Sequence, residues 1–194
     1  MAATQARRSL QIMKSFWPIL KSIFIVWGFI SFIGAAAIGA YVAYQVGPGN
    51  IDAIDSAKKQ DVRFVLNWCR LGDDRIEAVV HSYQSARSFT GDHLDAYAIK
   101  ISHIDPAELK EEKYGSGWFR CDQAEGVLKD SIDYLGGWLG DENISWFPKL
   151  DEIKSEEFYV YPWSIYCHGI RPSAVELIFI RPKDKMLYYI STKE

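Results

Sequence analysis

AVELIFIRPKDKMLYYIST, residues 174–192, decides how this chain folds. Two runs rich in β-branched, aromatic and leucine side chains flank Pro182-Lys183-Asp184, a turn composition, so the stretch predicts an antiparallel hairpin. Neither run alternates cleanly between apolar and polar residues. A strand wetted on one side shows that alternation, so both strands are expected to be covered on either face.

Working upstream, FYVYPWSIYC (158–167) is a third strand-like run. Pro162 inside it has no N–H for a ladder, which implies an edge strand, a bulge or an interruption. On a regular strand Tyr159, Tyr161 and Trp163 share one face, and Phe158 and Tyr166 share the other. One face belongs to the core. If the other meets solvent, Tyr and Trp are frequent anchors for protein or carbohydrate contacts, which makes Tyr159, Tyr161 and Trp163 the candidate binding residues. Farther back, IEAVVHSYQSARS, FTGD and HLDAYAIKISHI (76–104) predict a second hairpin, with Gly91 supplying its turn. His93, Asp95, Tyr97, Ile99, Ile101 and His103 fall on one face of its second strand.

Helical signals lie between these strands. Asp122-Gln123-Ala124-Glu125 has the spacing of a capping box, and Val127, Leu128, Ile132 and Leu135 behind it form an apolar stripe that ends at Gly136-Gly137. Asp105-Pro106 predicts a short helix start, Asp capping and Pro at the first helical position. Residues 61–71 suit either period, and the stop at Gly72 favours a helix ending on a glycine cap. Strands and helices together predict an α+β domain, an antiparallel sheet covered by helices.

A different kind of sequence precedes it. IFIVWGFISFIGAAAIGAYVAYQV (23–46) holds no charged side chain and is long enough to cross a hydrocarbon core of about 30 Å as a helix. Trp17 and Trp27 stand near its entry, and Tyr41 and Tyr44 near its exit, as interfacial rings do. Residues 1–50 contain no Asp or Glu, and their only charges are Arg7, Arg8, Lys14 and Lys21. The remaining 18 basic residues (22 less 4) face all 25 acidic ones, a formal charge of −7. The positive-inside rule then predicts a cytoplasmic tail (1–21), a transmembrane signal anchor (22–46), a short stalk (47–60) opened by Gly47-Pro48-Gly49-Asn50, and an extracytoplasmic domain (61–194). A cleaved signal peptide is the rival, with Ala35-Ala36-Ala37 as small residues for a peptidase, but the apolar run exceeds the usual length. Ala35, Gly39 and Ala43 have a small-xxx-small spacing that lets two helices approach closely, and so suggest a homodimer.

Motifs for chemistry are scarce. There is no HExxH, CxxC, GxSxG or GxxxxGK, and Ser116 in GSGW lacks the second glycine of a nucleophile elbow. No cofactor or metal is therefore expected. Asp92, His93 and Asp95, with His81 from the partner strand, are the candidates for acid–base chemistry. The plainer reading, favoured here, makes Asp92 a turn residue and His93 and Asp95 polar strand ends. Cys69, Cys121 and Cys167 make an odd count; Cys121–Cys167 is the favoured pair if the compartment oxidises, and three reduced thiols are the alternative. Asn143-Ile144-Ser145 fits an N-glycosylation sequon. The acidic domain excludes nucleic acid as its ligand and suits a basic protein partner. The expected function is a membrane-anchored, non-catalytic interaction module of the cell envelope. The alternatives are an envelope hydrolase or metal-dependent enzyme, and a dimerising assembly factor or sensor.

Overall fold

The computed structural model describes residues 2–47, 50–88, 90–110 and 117–194, and within helix α1 the side chains from residue 17 to 44 other than 19. Arg7, Arg8 and Lys14 have side chains outside that description, as do Pro48, Gly49 and Ser116 altogether. In chain order the first elements are α1 (Ala2–Val46), β1 (Ala53–Ile54), α2 (Arg63–Trp68), β2 (Ile76–Gln84) and β3 (His93–Ile101). They are followed by β4 (Phe119–Arg120), α3 (Gly126–Tyr134), α4 (Leu150–Ile153), β5 (Tyr159–His168), β6 (Arg171–Arg181) and β7 (Met186–Lys193). The chain divides into two units, residues 1–50 and 51–194.

The first unit is one helix. Its Leu20–Tyr44 segment, 25 residues with a mean hydropathy of 2.2, is exposed throughout its described side chains. At about 1.5 Å per residue it spans roughly 37 Å, enough to cross a membrane with some tilt. The helix begins as early as Ala2, so the stretch expected as a separate tail continues the same helix. Ala35, Gly39 and Ala43 are exposed on it, with open space around Gly39.

The second unit is built on a seven-stranded sheet in the order β1-β2-β3-β7-β6-β5-β4, every neighbouring pair antiparallel. The 174–192 stretch forms the β6–β7 hairpin at its centre, and its two-sided apolarity is explained by layers on both faces. On the first face Ala96, Leu177, Phe179 and Ile190 pack against Leu128, Ile132, Phe147 and Ile153 from α3, α4 and the turns between them. On the second face Tyr97, Ile99, Ile178 and Tyr189 pack under Val65 and Leu66 of α2 and Val62 just before it. Each fully buried aliphatic or aromatic side chain here contributes roughly 1.5–3 kcal/mol.

Four local expectations are corrected. Residues 51–60, expected within a stalk, belong to the domain. Asp52 accepts hydrogen bonds from the Tyr83 hydroxyl at 2.8 Å and Ala86 N at 2.7 Å, and Asp55 accepts from Ser82 N at 3.0 Å. The helix over 61–71 ends before its glycine: Arg70 is left-handed (φ 61°), and Leu71 N donates to Leu66 O at 3.0 Å while Arg70 N donates to Asn67 O at 3.2 Å. That is a Schellman stop with arginine where glycine is usual. Asp122 caps no helix; it pairs with Arg120, and α3 starts only at Gly126. Tyr166 joins the face of Tyr161 and Trp163, because a bulge between Pro162 and Ser164 inserts one residue and reverses the alternation after it.

Of the two alternatives for the cysteines, the structure has three free thiols. Cys121 lies in the first-face core and Cys69 in the second-face core, while Cys167 is exposed near the β5–β6 turn. Burial pushes the Cys69 thiol up to about 12 and raises Cys121 as well, so neither forms thiolate at neutral pH. Maleimide should therefore label one thiol per native chain and three after denaturation. Mass spectrometry of the native protein showing two or three rapid adducts would contradict this arrangement.

Candidate functional site

Strand pairing decides which side chains can meet. Residues directly opposite in an antiparallel pair share a face. Across the sheet this places Asp95, Ser191, Glu176 and Ser164 in one row of the second face, and His93, Lys193, Ala174 and Tyr166 in the next. Both rows lie beyond the apolar patch covered by α2. On the second face, the histidine and carboxylate side chains of the central strands (His93, Asp95 and Glu176) gather at this end. A groove of about 400 Å³ opens over it, lined by His93, Tyr166, Ala174, Glu176, Ser191 and Lys193.

His93 is held at both nitrogens, Nδ1 by Gly91 O at 2.9 Å and Nε2 by Ser191 Oγ at 3.0 Å. A carbonyl can only accept, so Nδ1 carries hydrogen, and in the neutral ring Nε2 accepts from the Ser191 hydroxyl. Ser191 is only 3% exposed and also neighbours the Glu176 carboxylate and the Tyr189 hydroxyl, with one proton to share among them. Asp95, 9% exposed, accepts from Arg87 at 2.6 Å through one oxygen; the other, Oδ1, is buried and has no partner among the described residues. Lys193 turns away from the row, donating to Thr90 O at 3.2 Å.

Burial raises Glu176 above the usual carboxylate range, outweighing the opposing effects of His93 and Ser191. A carboxyl with a folded pKa above its unfolded one is disfavoured in its charged form, so the penalty is present at neutral pH and lifts as pH falls through the raised value. Glu176→Gln should raise Tm at neutral pH, with the gain vanishing by about pH 4. Calorimetry that finds the same gain at both pH values would refute this assignment.

The four residues singled out for acid–base chemistry do not come together. The register puts His81 opposite Ala98 on the first face, where it stacks on Trp146 (ring centroids 5.2 Å apart) beside Asp55. Asp92 sits in the loop before β3, accepting from Thr90 Oγ1 at 2.6 Å, which lowers its pKa. Only His93 and Asp95 share the second face. Of the aromatic candidates, Tyr161 is buried against Trp118, Tyr159 is half-buried, and Trp163 is 42% exposed with its ring stacked on Trp68 (4.6 Å, 4° between planes). Glu176, Ser191 and Arg87 were missed by sequence reading. Glu176 was the findable one, the single charge inside the 174–180 run. Asn143, the sequon residue, is half-buried and donates weakly to the Tyr83 hydroxyl at 3.4 Å. Among the described residues, no group of three or more His, Cys, Asp or Glu is placed to hold a metal ion.

Fold and site define an α+β domain with a two-sided antiparallel sheet, joined to one helix long and apolar enough to cross a membrane. In comparisons with protein-family models, curated proteins and solved structures, nothing matches the chain.

Proposed function

We propose that this protein is a single-pass, membrane-anchored interaction module of the cell envelope, with its N-terminus in the cytoplasm and its sheet domain outside. The observation that carries the reading is the uncovered end of the sheet's second face, where half-buried polar side chains line an open groove in a domain of charge −7. Such a surface suits recognition of a basic protein, steered by its acidity. Four cations before the apolar run and none within it support the orientation.

A photo-crosslinking residue at Tyr166, in the full chain in its native membrane, should capture the same basic protein reproducibly. Capture of no consistent partner would overturn the reading. The hydrolase alternative is less favoured, because it needs His81 beside His93 and the two lie on opposite faces. The dimerising alternative has its own check: Gly39→Cys should give a disulfide-linked dimer under mild oxidation if two anchors pack there, and only monomer if they do not.

A further inference from the structure

The groove on the second face contains an imbalance of charge that indicates its ligand. Arg87 is committed to Asp95, and Lys193 is directed at the Thr90 carbonyl. Glu176 is in no ion pair among the described residues, although it sits at a central strand position between Ser164 and Ser191 and lines the cavity. Two strands away in the same row, beyond Ser191, Asp95 Oδ1 is also buried without a hydrogen-bond donor among the described residues. A half-buried carboxylate with no ion-pair partner is matched by a cationic N–H group. At the groove's rim, Tyr166 is 66% exposed and presents an aromatic ring. Carboxylate at the floor and aromatic face at the rim are the two features that hold an ammonium or guanidinium group.

Resting on the reading of the domain as an interaction module, we propose that the groove over His93, Glu176 and Ser191 binds a lysine or arginine side chain of a protein partner, with Glu176 as its counter-ion. The long aliphatic stem of such a side chain lies along Tyr166 and Ala174 while its head reaches the carboxylate. The His93–Ser191 hydrogen bond keeps the imidazole at the groove's edge, so His93 is a reporter next to the ligand and not its anchor. A metal ion is a poor competitor for the site, since the described residues offer no set of three ligating side chains.

The test uses the full chain in lipid nanodiscs and four capped tripeptides, Gly-X-Gly, with X as lysine, arginine, norleucine or glutamate. The His93 imidazole resonances are followed by NMR during titration. The lysine or arginine peptide should shift them saturably with a Kd in the millimolar range, and Glu176→Gln should weaken that binding at least tenfold, about 1.4 kcal/mol. Asp151→Asn, an exposed charge on α4 against the opposite face, should leave it unchanged. Equal binding of norleucine and lysine, or undiminished binding by Glu176→Gln with its fold confirmed by calorimetry, overturns the proposal. If the tripeptides fail while the Tyr166 crosslink still captures a partner, the groove chemistry is wrong and the interaction module stands. If the peptides bind and no partner is captured, the cation site stands and the module reading falls.

Discussion

Phe179→Ala should destabilise the sheet domain by about 3–5 kcal/mol, at the upper end of what a single core truncation does. Phe179 is 0% exposed, lies on the first face in the central strand β6, and meets Phe147 edge-on at 6.4 Å. Its strand neighbours are Val160 on β5 and Tyr188 on β7. Hydrogen-bonded strands are held about 4.8 Å apart, so they cannot close in on the space a phenyl ring leaves, and the cavity term persists in full. A domain of this size has roughly 5–15 kcal/mol in total, and each kcal/mol shifts Tm by about 2–4 °C. The midpoint should therefore fall by about 6–20 °C. Trp163→Ala, at a partly exposed position on the other face, should shift it far less. Equal shifts for the two variants would mean that the sheet's first face is not the core described here.

Removing residues 1–50 should change the protein's location completely and its folding very little. Leu20–Tyr44 contains eleven Leu, Ile, Phe and Val residues, each favouring the bilayer centre by roughly 0.3–0.6 kcal/mol. Together these outweigh any loss from the few polar side chains among them. The full chain should stay with membranes through an alkaline carbonate wash, and the shortened chain should remain in the supernatant. Both cores of the domain are made from residues beyond 50, so its calorimetric midpoint should be the same in either form. Orientation should fail separately. Replacing Arg7, Arg8, Lys14 and Lys21 with glutamine removes four charges whose passage through the bilayer costs on the order of 10 kcal/mol in sum. A C-terminal reporter should then divide between the two sides. A reporter active only in the cytosol with the charges intact would reverse the proposed topology.

How far the sequence reached can be judged from particular residues. The alternation over 93–101 assigned His93, Asp95, Tyr97, Ile99 and Ile101 to one face, because a strand has a fixed period of two and needs no tertiary information to keep it. The same rule failed over 158–167. There, one inserted residue beside Pro162 reversed the pattern and carried Tyr166 to the groove face. Proline signalled that something interrupts the strand, but a bulge, an edge and a break share that signal. The groove itself was not readable. Glu176, Ser191 and His93 lie 15 to 98 residues apart in sequence and become neighbours only through the pairing of β3, β7 and β6.

What the sequence determined by itself is what depends on local composition and spacing. An apolar helix follows the cations, the domain after it is acidic, and two hairpins build an α+β sheet apolar on both faces. Tertiary structure alone decided which strands stand side by side, that α2 covers only part of the second face, and that residues 51–60 are stitched into the domain. Periodicity sets which way a side chain points, whereas strand order and the reach of a covering helix are set by long-range packing, which no local pattern encodes.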